Sequence, residues 1–593
     1  MVYAARKGAT WCAVMDGKEG PPCDTFFGPQ SVTSYRRAAA CASWRKVTWQ
    51  GNRPFQHTVD YLTPDFGPLF FGADGSRVAY VGIVQTRARA AVVVEDQAGP
   101  QYDEVNKPAV SPDGRRVGYI ACRDKGQERK FLGVIDGREG PECEEIPSGG
   151  GRDWRDWDPF GPDSARTAYR ARIGRKWQAV VDGQAGPEYD LIKPAGVGPW
   201  GGFFSRDGKR TAYLGKRDGK WRAVIDGKEG PEFDQMAGDF LPLVFSPDSK
   251  RVAYVAQWGQ GPGSKFRAVI DGQLGPEYDA GWVAGVVFSP DSRHAAYVGK
   301  RGEKKFVVLD GKELAPHDSA DGIRILFSPD SRRLAYIAYR GQKDDRKAHV
   351  VVDGQEGPEH GDSIYHVYFS PDSQHVAYIA INGRWQDSAH TEQMVVDGKE
   401  GPVVGRVESH ILNGVLWSSD SQHLAYVASQ GDTQWVVVDE VAGPKYEWVR
   451  GLEFSPDGKH LAYIACTGGE AYKYMYMMLR DGQAGPVFDK IETSWHDQHL
   501  FSPDGRHIAY KVTRGDKHAV VLDDQVGPEF DSVLCYWFHV WPWGLHEELR
   551  WARTPRFLPG GAVQYPAVKT GKPNELYIVT QSPPAGSAPD ARR

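Results

Sequence analysis

Seven cysteines in 593 residues (Cys12, Cys23, Cys41, Cys122, Cys143, Cys466 and Cys535) are too few and too scattered for a disulfide scaffold. None stands in a C-x-x-C pair, which excludes the common zinc and dithiol-redox arrangements. Cys12 and Cys23 flank one turn and would bridge if the strands carrying them pair; the alternative is a pair of buried thiols. Long apolar runs are also lacking. The stretch FLPLVF at 240–245 is typical and falls far short of the roughly 20 residues of a membrane helix, so no membrane insertion is expected. Positive charge is not in excess: 72 Lys and Arg against 77 Asp and Glu leave a net charge of −5, with no broad field to draw a nucleic-acid backbone. No nucleic-acid partner is expected. Enzyme signatures are missing too, with no G-x-S-x-G, no Walker phosphate loop and no H-E-x-x-H, since His546-Glu547-Glu548-Leu549-Arg550 ends in arginine. The reading leans away from catalysis and expects no cofactor.

What the chain has is turns and repetition. Its 69 glycines and 40 prolines exceed ordinary usage without the three-residue period of collagen, which points to frequent chain reversals. The string FSPDSKRVAYVA at 245–256 recurs as FSPDSRHAAYVG at 288–299, FSPDSRRLAYIA at 327–338, FSPDSQHVAYIA at 369–380, FSPDGKHLAYIA at 454–465 and FSPDGRHIAYKV at 501–512, with weaker copies beginning at Phe70, Ala109, Phe160, Phe204 and Trp417. The motif aspartates run from Asp74 to Asp504 in ten intervals averaging 43 residues. A second motif follows each copy, as in AVIDGKEGPEFD from Ala223. Ser-Pro-Asp-Gly/Ser fits a type I turn with proline second, and Asp-Gly reverses the chain again, so each unit should hold four short strands. In Val252-Ala253-Tyr254-Val255-Ala256 both alternating faces are apolar, so both must be covered. A four-stranded antiparallel sheet with two buried faces and a period in the forties is a β-propeller blade. A chain of this length exceeds one core and should form more than one compact unit.

The Phe-Ser-Pro-Asp-Gly/Ser…Ala-Tyr strings resemble the WD-like (PD40-type) repeats of the TolB propeller type, also seen in prolyl-oligopeptidase-like enzymes. The resemblance covers most of the chain. It implies blades whose first strand, ending in Phe-Ser, lines an axis while the strand after Gly-Pro lies outermost. It carries over no catalytic residue, because the roughly 60 residues after Asp531 are too few for an α/β-hydrolase domain. A degenerate unit around Gln30 and complementary chain ends, Val2 to Asp24 against Cys535 to Val579, give 12 to 14 blades according to how they combine. Because single propellers usually hold four to eight blades, the expected architecture is all-β, a tandem of two six- or seven-bladed propellers at 1–300 and 301–581 with a disordered tail at 582–593.

Three features are candidates for a site. The residue three after each motif aspartate is basic, arginine early and largely histidine late: His294, His375, His423, His460 and His507. Equivalent blade positions form rings, so these could make an anion-binding or pH-sensitive face. The competing account, which the recurrence of Asp226, Asp271 and Asp353 favours, is that each base pairs with a recurring acid. Next, Asp153, Asp156 and Asp158 alternate with Trp154 and Trp157 in a long insertion. Clustered carboxylates suit a cation such as calcium, but Phe160 stands where an oxygen ligand is wanted and Arg155 neutralises the group, so a solvated loop, or one that contacts a partner through Trp154 and Trp157, is the preferred reading. Last, Trp537, Trp541 and Trp543 concentrate where the repeat decays and would stack a ligand or plug a propeller end.

The function expected is a non-catalytic binding or scaffold protein that holds a protein or peptide partner on loop faces or in a cleft between propellers. The alternative is an enzyme or a small-ligand or glycan receptor with its site in a central channel. TolB-like relatives imply export to the periplasm or beyond the cell; no charged-then-apolar leader opens the chain, which leaves the cytoplasm open. Oligomeric state is not legible.

Overall fold

The computed structural model describes short strand segments between Val2 and Val94 and, from Gln97 to Pro583, the chain apart from 107, 126–127, 148–157, 195–202, 237–242, 280–284, 321–324, 342–344, 362, 385–389, 410–413, 469–473, 493–500, 534–555, 559 and 570–574. Among the described residues, thirteen antiparallel sheets of three or more strands follow one another in sequence and no α-helix occurs. We number them as blades: blade 1 (2–19), 2 (25–98), 3 (104–139), 4 (145–185), 5 (191–229), 6 (235–279), 7 (287–317), 8 (319–356), 9 (364–404), 10 (406–442), 11 (448–488), 12 (490–526) and 13 (532–581). The fold is a tandem β-propeller, many of its blades four-stranded and built in simple sequence order. The chain ends form separate sheets, blades 1 and 13, and the degenerate unit around Gln30 lies outside the described residues. Two compact units divide the chain. One is Met1–Ser43, Tyr61–Glu303 and Val307–Glu313; the other is Trp44–Asp60, Lys304–Phe306 and Leu314–Arg593.

Local chemistry explains the strand boundaries. In blade 6 the Ser249 amide donates to the Ser246 carbonyl at 2.8 Å, closing the turn with Pro247 at its second position. Ser249 ends that turn at φ 64, a left-handed conformation that Gly114, Gly208, Gly458 and Gly505 adopt more easily in other blades. Ser246 Oγ donates to Asp248 Oδ1 at 2.7 Å and accepts the Arg251 amide at 2.9 Å, so the turn is braced by hydrogen bonds local to the motif. The second reversal is a two-residue type I′ hairpin: Asp271 and Gly272 have φ 53 and 79, and Ile270 pairs with Gln273. The edge strand begins just ahead of Gly-Pro, as at Lys228–Glu229, and pairing resumes beyond it where Phe233 bridges Trp221. Blade-edge pairing thus starts before Gly-Pro rather than only after it. The opposite edge strand is commonly split, for example into Gln235–Met236 and Val244–Phe245, both paired with Val252–Trp258.

The core is a series of layers between successive blades. Val252, Tyr254 and Ala256 pack against Leu214, Trp221, Ala223 and Phe233 of blade 5, while Ala253 and Val255 pack with Ala295, Tyr297 and Val308 of blade 7. One strand therefore feeds two cores by its two-residue alternation, which is why its sequence shows no polar face. Gly275 of Gly-Pro lies under Tyr297: a Cβ there would stand 3.2 Å from the phenol oxygen, tighter than the layer accommodates. Cys122, Cys143 and Cys466 are buried free thiols, and the Cys12–Cys23 pairing falls outside the described residues.

Candidate functional site

The recurring base and the recurring acid meet. The Asp-Gly aspartate of each hairpin takes a bidentate role, as Asp271 does: Oδ1 accepts the Val252 amide at 3.0 Å and Oδ2 accepts Arg251 Nε at 2.9 Å. The same geometry places Arg210 on Asp226 (2.8 Å) and Arg333 on Asp353 (2.9 Å), and His294, His375, His423, His460 and His507 on Asp310, Asp397, Asp439, Asp481 and Asp523 at 2.6–2.7 Å through Nδ1. Four of these histidines are half-exposed; His507 is buried. Arginine does one thing more. Arg251 Nη1 reaches the Ser292 and Arg293 carbonyls of the next blade, Arg333 reaches those of Ser373 (3.1 Å) and Gln374 (2.6 Å), and each guanidinium lies over the next blade's turn phenylalanine, Phe288 and Phe369. Arg116, Arg166 and Arg210 make the same span to carbonyls of the following blade. An imidazole is too short for it.

At the junction of blades 9 and 10 that shortfall leaves a cleft of about 490 Å³. His375 stands where Arg333 stands one blade earlier, and stacks on Trp417 with ring centroids 6.0 Å apart and planes inclined by 22°. Ser421 and Gln422, the counterparts of Ser373 and Gln374, line the cleft with no guanidinium upon them. Met394, Val396, Leu424 and Tyr426 give it an apolar wall, and Asp397, Asp439 and Glu440 give it carboxylates, with Lys399 as the opposing cation 3.7 Å from Glu440. Tyr426 is pushed up to about 12, first by burial and then by the charge of Glu440. Its phenol oxygen and Trp417 Nε1 are buried without a hydrogen-bond partner among the described residues.

Glu440 is held in a strained conformation. It has φ 69 at a hairpin position that is glycine in eight of the ten described copies. A side chain kept in the left-handed region costs of order 1–3 kcal/mol, and such strain gathers at functional sites. Sequence reasoning noted His375 but passed over Trp417, Lys399 and Glu440; the signal available was Asp439-Glu440 where the repeat has Asp-Gly.

The remaining candidates lie elsewhere. Asp158 accepts the Phe160 amide at 3.0 Å within its own turn. Asp153, Trp154, Asp156, Trp157, Trp537, Trp541 and Trp543 fall outside the described residues.

Fold and cleft together define a repeat-built propeller protein in which arginine joins several blades along their turns, histidine takes its place in others, and a cleft opens beside His375. No family model matches the chain, and no curated protein sequence matches it. Solved structures resemble it weakly: a eukaryotic initiation factor (11% identity, TM-score 0.29, covering 70% of this chain and 95% of that one), Kuenenia stuttgartiensis hydrazine synthase (12%, 0.22, 54% and 93%) and an oligogalacturonate lyase in complex with manganese (10%, 0.24, 55% and 94%).

Proposed function

We propose that the chain is a non-catalytic binding scaffold of TolB-like propeller repeats that holds a protein or peptide partner by a basic side chain seated between blades 9 and 10. One observation carries this: the cleft is the repeat's own guanidinium slot with the guanidinium missing. At the junction of blades 8 and 9 the slot's parts are a carboxylate, an aromatic face and two turn carbonyls, all used by Arg333. At the junction of blades 9 and 10 the equivalents are Asp397, Trp417, Ser421 and Gln422, with Asp439 and Glu440 added, and only the His375 ring among them. An arginine side chain from a partner meets a planar cation site of known fit, with stacking and charge-assisted bonds both on offer. The resemblance of the FSPD strings to exported TolB-type repeats supports the periplasm or the cell exterior as the working compartment.

Saturation-transfer NMR with the probe acetyl-Gly-Arg-Gly-amide and its citrulline counterpart tests the reading. The arginine peptide should bind the native chain at least tenfold better than the citrulline one, and His375→Arg, which refills the slot from within, should abolish the difference while the protein stays folded. Equal binding of both peptides, or full binding by the folded His375→Arg variant, would retire the proposal.

A further inference from the structure

At the junction of blades 7 and 8 the chain departs from the repeat at two positions that meet, one on each blade. The residue seven after the Asp-Gly aspartate is Tyr189, Phe233 or Tyr278 in earlier blades, and the tyrosines donate to a glutamate of the following blade, Tyr189 to Glu229 at 2.6 Å and Tyr278 to Glu313 at 3.0 Å. At the end of strand Lys312–His317 the residue is His317. The residue four before the Asp-Gly aspartate is Arg222 in blade 5, where its Nε lies 3.4 Å from Glu229. In strand Lys347–Val352 it is His349. The two histidines therefore replace a tyrosine and an arginine around one glutamate, Glu356.

The resulting geometry is that of a ligand set. His317 Nδ1 lies 3.8 Å and His349 Nε2 lies 3.6 Å from Glu356 Oε1, and one donor atom from each residue falls within 4.8 Å of the others. Ligands bound to one ion at about 2.0–2.2 Å in tetrahedral array stand roughly 3.3–3.6 Å apart, so little movement separates this cluster from a coordinated one. Both histidines are buried, at 5% and 1% exposure, while the Glu356 side chain is 40% exposed and gives an ion a way in. His349 is the telling residue. Among the described residues neither of its ring nitrogens has a hydrogen-bond partner, a cost that native interiors rarely carry without a use. The surroundings orient the other two. His317 Nε2 lies 3.2 Å from the Tyr336 phenol oxygen, so the tautomer donating there presents Nδ1 as a lone pair, and Arg340 binds Glu356 Oε2 at 2.7 Å, leaving Oε1 turned to the histidines. Burial lowers the pKa of both imidazoles.

We propose that His317, His349 and Glu356 form a binding site for a divalent transition-metal ion of the zinc class, with a fourth position open to water or to a ligand atom. Two imidazoles and one carboxylate suit such an ion better than calcium or magnesium, which prefer oxygen throughout. The next junction is an internal control. There His360 and Glu400 repeat the pairing at 3.7 Å, but Gln393 stands in the place of His349.

The test uses the full chain, treated with chelator and titrated with ZnCl2 by calorimetry and with CoCl2 by visible absorbance. One equivalent should bind, with cobalt ligand-field bands of a four- or five-coordinate nitrogen and oxygen site. His317→Tyr and His349→Arg restore residues the repeat already uses and should fold with unchanged circular dichroism; each should weaken that equivalent by at least a hundredfold and remove the bands. His360→Tyr should leave both intact. Failure of the native chain to bind one equivalent, or its retention in the folded His317→Tyr and His349→Arg variants, overturns the site.

Discussion

At the scale of single residues, the repeat acts as its own reference, and function shows as departure from it. Glu440 keeps a left-handed backbone where eight of the ten described copies have glycine, so Glu440→Gly should stabilise the fold by about 1 kcal/mol, read as a higher unfolding midpoint, while weakening binding of the arginine peptide. A variant that lost stability as well would mean the carboxylate holds the fold rather than a ligand. Tyr254 shows the opposite case of a residue that conforms. Buried at 3% exposure against Phe233, it should cost about 3–5 kcal/mol when replaced by alanine, read as a lower urea midpoint, because the layer between blades 5 and 6 cannot close over the missing ring.

At the scale of the strand and turn, neighbouring blades are latched by bonds between residues about one repeat apart. Asp248 N donates to Ser292 Oγ at 2.9 Å, Asp330 N to Ser373 Oγ at 3.0 Å and Asp372 N to Ser421 Oγ at 2.9 Å. Ser292 also bears φ 67, so its two effects separate by substitution. Ser292→Ala loses the latch and keeps the strain, for a loss of about 1–2 kcal/mol in denaturant; Ser292→Gly loses the latch but relaxes the backbone and should lie much closer to the native value. Equal losses would show that the latch contributes and the backbone does not. The hairpins themselves were legible, since Pro-Asp-Ser and Asp-Gly dictate their turns locally, and so was the two-sided burial of Val252 to Ala256. The latches were not, because nothing in one repeat announces that its amide meets the serine of the next. The cleft was hidden for a related reason. It is made by the reach that His375 lacks, and sequence marks His375 as one base among many.

At the scale of the whole molecule, the same turn recurs with the same electrostatics. Asp113, Asp207, Asp248, Asp291, Asp330, Asp372, Asp420, Asp457 and Asp504 are all held below the usual carboxylate range; hydrogen bonding from the turn serine and the nearby amide lowers them, against desolvation, and Asp248 falls to about 2. A carboxylate whose folded pKa lies below its unfolded value of about 3.8 stabilises the fold above that value and ceases to do so as pH falls through the folded one. The protein should therefore lose stability steeply between pH 4 and pH 2, measured by thermal midpoint, and Ser246→Ala should make that slope shallower. A midpoint flat across this window would contradict the shared depression. Copy number was readable from the motif spacing, as was the all-β class.

The arginine spans are unevenly shared: Arg116, Arg166, Arg210 and Arg251 serve the first unit, while Arg333, with Arg480 reaching the Arg506 carbonyl at 3.2 Å, serves the second. Stretched between its ends in an optical trap, the chain should then rip in a set order, its later half giving way at lower force and the Arg-stitched earlier half holding longest.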